Sequence, residues 1–168
     1  MVKFELKALS PEGVPGALAK AERYRLLNEP WQAESICRDV LEADPDNQQA
    51  LVLIILALSD QFGTATGPGF DEARAHVAKL RTEYERAYYS GIICERRARA
   101  HFDRAHPGSG GMAYEWYVQA MDWFEQAEKI RPPGNEDAKL RWNTCARMMM
   151  TNPSIKPAPV EPREHMLE

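Results

Sequence analysis

Residues 117–132 read YVQAMDWFEQAEKIRP, and the fold turns on this stretch. Ala120, Phe124 and Ala127 recur at the i, i+4, i+7 spacing that puts side chains on one face of a helix. The two alanines let a neighbouring helix approach closely, and the aromatic ring fills the gap between the pair. Pro132 stops the helix because it supplies no N–H to the next turn. The same landmarks recur upstream in AESICRDVLEADPDN, as Ala33, Cys37, Val40 and Pro45. A recurring helix with these landmarks is the second half of a helix–turn–helix unit.

The order Ala, aromatic, Ala, Pro at these spacings resembles the tetratricopeptide repeat (TPR) family. The resemblance implies an all-α, right-handed solenoid of helix pairs: three TPR-like repeats and a C-terminal capping helix, about seven helices in all. The repeats fall at residues 16–46, 47–87 and 88–134, and the capping helix at 135–150. A lead-in, 1–15, precedes them, and a Pro-rich tail, 151–168, expected to be disordered, follows. Tyr24, Ala33 and Pro45 match the family in the first repeat, whereas Ala17, Lys20 and Ala21 stand where it has Trp and a Leu-Gly pair. Gly91 takes the family's small position in the third repeat. Ala33 and Ala73 are 40 residues apart, and Ala73 and Ala120 are 47 apart, against a family period of about 34. The excess falls in two Gly-rich segments, Gly63 to Gly69 and His106 to Gly111.

Along the chain, a first helix is expected over about 16–28, with Leu18, Ala21, Tyr24 and Leu26 on its apolar side, and a second over 31–43. Asn47 caps a third, QQALVLIILALSDQF, which is apolar on nearly every face and therefore buried between neighbours. FDEARAHVAKL follows, with Asp71 as its N-cap. From Thr82 to Ala105 punctuation is weak, leaving a turn near residues 85–87 or one long helix; the rarity of such long helices favours the turn. The next helix starts near Met112. The last carries Ala138, Trp142, Cys145 and Met149 on one stripe. The core is expected to include Leu53, Leu56, Ala73, Leu80, Phe124 and Trp142.

Composition narrows the functional classes. With 44% hydrophobic and 27% charged residues, the chain is globular in composition. A net charge of −4 argues against a dedicated nucleic-acid or anionic-membrane protein. Cys37, Cys94 and Cys145 are an odd set without C-x-x-C spacing, which suits a reducing cytoplasm rather than a disulfide framework or a zinc site. The N-terminus lacks the apolar core of a signal peptide, and the longest apolar run, Ala50 to Leu58, is about half a membrane span. A soluble, cytoplasmic protein without a cofactor, monomeric or weakly dimeric, is expected.

Chemistry-bearing clusters are few. His101 and His106 of HFDRAH, with Asp103 between them, invite a metal, but i and i+5 on a helix point about 140° apart. The glycines before Met112 could seat a phosphate at a helix start, but no P-loop lysine follows. Arg96, Arg97, Arg99 and Arg104 form the densest basic stretch, read first as a solvated face and second as a binder of nucleic acid or an acidic ligand. Trp116 and Trp123 lie beside the core stripe of Tyr117 and Phe124, placed to pack on the final helix or to meet a ligand. Lys139, Asn143 and Arg147 share one face of the last helix and resemble part of the family's carboxylate clamp, without the following repeats that complete it. No Ser/His/Asp, Cys/His or paired-carboxylate arrangement stands out, so catalysis is not expected.

The resemblance implies a protein-interaction module, binding an extended peptide or a partner helix in a concave groove lined by the first helices of each pair. Its lining residues are then Leu18, Glu22, Arg25, Gln49, Val52, Leu56 and Asp60, followed by Lys139, Asn143 and Arg147. An extended Pro-rich tail with acidic ends could dock in that groove, its own or a neighbour's, at low entropic cost.

Overall fold

In the computed structural model, residues 1–64 and 69–161 are described. Among them are seven α-helices and no strand, so the chain is all-α. The helices are α1 (Val14–Leu26), α2 (Pro30–Ala43), α3 (Gln48–Ser59), α4 (Phe70–Val77), α5 (Glu83–Arg104), α6 (Ser109–Lys129) and α7 (Asp137–Thr151). Each packs on the next, and α3 also touches α1 and α5. α1, α3 and α5 therefore lie beside one another in chain order, while α7 packs chiefly on α6.

The boundaries follow from local chemistry. Asn28 turns left-handed, at φ 61°, and Pro30 opens α2, where a missing N–H costs nothing. Asn47 caps α3 by accepting from the Ala50 N–H at 2.9 Å, as its sequence announces. α3 is buried nearly all round, Leu51, Ile54, Ile55 and Leu58 completely, whereas its expected last residues, Gln61 and Phe62, lie in the turn that follows. The cap of α4 is Gly69 rather than Asp71, which stands in the first turn and pairs with Arg74. The first Gly-rich segment lies largely outside the described residues.

The turn expected near residues 85–87 comes earlier. α4 stops at Val77, Leu80 is buried in the connection, and the Thr82 hydroxyl caps α5 by accepting from the Glu85 N–H at 3.1 Å. From Glu83 to Arg104 the chain is one helix of 22 residues, ended by Ala105 in the left-handed region at φ 48°. The second Gly-rich segment is likewise shorter as a loop than expected. α6 begins at Ser109, so Gly110 and Gly111 belong to its first turn.

Those glycines make room for the tail. A Cβ on Gly110 would collide with the Ser154 carbonyl oxygen, and one on Gly111 would stand 3.3 Å from Ala158 Cβ. Ile155, 5% exposed, belongs to the core of α5, α6 and α7. Residues 153–158 thus lie against the start of α6, entering through a turn in which the Ile155 N–H donates to the Asn152 carbonyl at 2.9 Å, where disorder was expected; residues 162–168 lie outside the described residues.

The core has two clusters. One joins α1 to α4 with Ile93 of α5; the other joins α5, α6, α7 and Ile155. Phe70 and Tyr89 pack against both. Of the expected core, Leu53, Ala73, Leu80 and Phe124 are buried, while Leu56 and Trp142 are only half-buried. Leu26, expected on the apolar side of α1, is exposed. Phe124 meets α5 at Gly91, where a Cβ would stand 2.5 Å from the ring.

Candidate functional site

The features that could recognise a ligand gather on the odd-numbered helices. Asp60, at the end of α3, is held from both sides: Arg25 of α1 reaches its Oδ2 at 2.8 Å, and Arg96 of α5 its Oδ1 at 2.6 Å. Arg96 Nη1 also donates to the Leu56 carbonyl at 2.9 Å and the Ser59 hydroxyl at 2.8 Å, satisfying groups at the C-terminal turn of α3. This guanidinium, its side chain 18% exposed, is therefore a strut between α3 and α5. Burial pulls its pKa below the usual arginine value, and Asp60 opposes that pull.

One residue before Arg96 on α5 the charge pattern continues. Glu95 is 8% exposed, and burial holds its carboxyl above the usual range despite Arg141 and Arg96. Arg141 Nη1 of α7 stands 3.4 Å from Glu95 Oε2, within ion-pair range, yet that oxygen has no hydrogen-bond partner. The buried Cys145 thiol is a further neighbour of the carboxylate. A cleft of about 250 Å³ opens here between α5 and α7. Glu95, Arg96 and Arg99 line one side, Arg141, Thr144 and Met148 the other, and Tyr117 of α6 also borders it.

The residues expected to line a groove are distributed as follows. Arg25 and Asp60 join Arg96 in one charged array; Leu18 is buried in the first core and so presents little surface. Glu22 and Gln49 are exposed, and Val52 and Leu56 half-buried, on α1 and α3. On α7, Lys139 is occupied by Glu136, Asn143 is half-buried and Arg147 exposed. The sequence reading passed over Glu95 and Arg141. Glu95 had a signal: it falls on the stripe Gly91, Glu95, Ala98, Phe102, where a lone carboxylate sits among small and apolar residues. Arg141 had none, because only the docking of α7 brings it to α5.

The arginine stretch does not form one basic face. Arg96 is spent on Asp60, and Arg99 pairs with Asp103 at 2.9 Å. The Arg97 guanidinium lies over the rings of Phe70 and Trp116, 4.8 and 4.6 Å from their centroids, a cation–π contact that ties α5 to α4 and α6. Arg104 is exposed near the helix end. Trp116 thus packs on Phe70 and Arg97 rather than on the final helix, and Trp142 Nε1 instead donates to Glu125 at 3.1 Å. Trp123, two turns further along the same side of α6 as Trp116, borders a second concavity of about 540 Å³ with Arg86 and Ile130.

Among the described residues no group of three or more histidines, cysteines, aspartates or glutamates could hold a metal ion, and no helix is long and apolar enough to cross a membrane. His101 is buried while Asp103 and His106 are exposed. Burial lifts the Cys37 and Cys94 thiols to about 12, and Cys145 in the same direction, so none is a ready nucleophile. No family model matches the chain, and no curated protein and no solved structure is detectably similar to it.

Proposed function

We propose that the chain is a TPR-like helix-pair solenoid and that it serves as a protein-interaction module. The partner is an extended peptide or a helix, bound across the face formed by α1, α3, α5 and α7. The observation that carries this reading is the Arg25–Asp60–Arg96 array. It spans three alternate helices, which requires them to stand side by side, as the first helices of stacked pairs do. Around it lie exposed Glu22 and Gln49 and half-buried Val52, a mixture of polar and apolar groups suited to a peptide main chain and its side chains. Cytoplasmic location, and a monomer or weak dimer, belong to the same reading.

Selection of displayed random peptides on the full chain tests it. Enriched sequences should lose binding to Val52→Asp and Gln49→Lys variants and keep it with Trp31→Ala on α2. Equal loss from the α2 variant, or none from either odd-helix variant, would sink the reading. A loss of affinity of several decades between low and moderate salt would point instead to a binder of acidic ligands or nucleic acid.

A further inference from the structure

We infer that the concavity walled by α4, α5 and α6 binds a small amphipathic carboxylate, an apolar body carrying one acid. It shares no residue with the peptide face proposed above and stands on separate observations. Val77 of α4 and Ala87 of α5, both buried, give it an apolar lining. Trp123 and Ile130, 37% and 42% exposed, border it from the α6 side. Large apolar groups left in water around a hollow mark a place for another apolar surface. The volume of about 540 Å³ lies within the range of small-molecule pockets, about 300–1,000 Å³.

The charges around the hollow select the ligand's own. Arg86 Nη1 donates to the Leu80 carbonyl at 2.7 Å and to the Arg81 carbonyl at 2.9 Å, which fixes the guanidinium in place. Its Nε and Nη2 edge has no acceptor among the described residues, and that edge takes a carboxylate through two parallel bonds. Among the described residues no carboxylate pairs with Arg86, nor with Lys129 on the last turn of α6. Glu83 also lines the hollow, three residues before Arg86, but does not pair with it.

Arg74, the remaining cation of the lining, is set against Asp71 at 3.4 Å. Arg86 and Lys129 then outnumber Glu83 by one positive charge. A single carboxylate balances that excess. A cation adds to it, a dianion overshoots it, and a neutral apolar molecule leaves the Arg86 edge unmet. The apolar body of the ligand covers Trp123 and Ile130 while its acid meets Arg86 and Lys129.

Titration of the ¹⁵N-labelled full chain, followed through amide, tryptophan Nε1–H and arginine Nε–H signals, tests this. The probes are octanoate and naphthalene-2-acetate. The controls are 1-octanol and octylammonium, which keep the body and change the head, and acetate, which keeps only the head. At least one probe should give saturable shifts at Trp123, Arg86 and Ile130, and each control should bind about tenfold or more weakly. Lys129→Glu, which reverses an exposed charge, should weaken the probe by a similar factor. Ala78→Trp, which fills the hollow from an exposed position without touching the cations, gives an independent loss. The inference is overturned if neither probe saturates at millimolar concentration, if any control binds as tightly as the probes, or if either variant binds unchanged. It is equally overturned if light scattering shows a dimer of the free chain that Ala78→Trp dissolves, because a second copy then covers the hollow.

Discussion

Gly91 has no side chain because Phe124 occupies the place where one would stand. Substitution by alanine gains helix propensity worth up to about 1 kcal/mol, but forces the ring or α6 aside. Overpacking of a filled core costs about 1–3 kcal/mol, so Gly91→Ala should lower the urea midpoint. A midpoint raised by the substitution would show that the ring yields freely. Glu95 makes the second prediction at this scale. Folding raises its pKa, chiefly through burial, so its contribution to stability is full below the unfolded value and is lost as pH rises through the folded one. Wild type should therefore lose stability relative to Glu95→Gln as pH rises above the ordinary glutamate range. His76 and His101, whose pKa values burial lowers, act in the opposite sense on acidification, but they are common to both proteins and cancel in the difference. Tyr88 and Tyr117, raised by burial, stay protonated throughout. A difference between the two proteins that does not change with pH would contradict the assignment. Residues whose role is set by helical spacing, such as Ala120, Phe124 and Ala127, were legible in the sequence and are all fully buried. Arg97 was not, because its place between Phe70 and Trp116 depends on how three helices meet.

At the scale of elements, the sequence was clearest where caps and prolines punctuate it and least clear where one hydroxyl does the work. Asn47 and Pro30 marked their helices; Thr82, a single residue in TEYERAYY, started a 22-residue helix without any turn-forming neighbour to announce it. Glycine misled for a physical reason. Gly110 and Gly111 read as loop residues because they cost a helix conformational entropy, yet here they accept that cost so that the tail can lie against α6. The tail is then part of the fold. Ending the chain after Asn152 removes Ile155 from the second core and should destabilise the protein by about 1–3 kcal/mol. Gly110→Val should release the tail without shortening it, seen as faster proteolytic cleavage between residues 153 and 161. Unchanged stability in the first case and unchanged cleavage in the second would mean that the tail is not held.

For the whole molecule, the contact order is simple: each helix meets its neighbours, and α3 meets α1 and α5 as well. Such a chain buries its hydrophobic surface between successive layers and leaves one face to alternate helices. On that face Asp60 is shared at short range by Arg25 and Arg96, at 2.8 and 2.6 Å, whereas Glu95 has Arg141 only at 3.4 Å. Removing the strut should show in stability rather than recognition. Asp60→Ala leaves Arg25 and the largely buried Arg96 without their shared carboxylate, and should cost about 1–3 kcal/mol. A change below about 0.5 kcal/mol would mean that the array contributes nothing to joining the helices. The proposal that the odd-helix face binds a partner is tested most directly by mapping amide shifts in the full chain on adding a selected peptide. Shifts should cluster on α1, α3, α5 and α7, around Glu22, Val52, Arg99 and Arg141. Shifts confined to α2, α4 and α6, around Trp31 and Trp123, would contradict it.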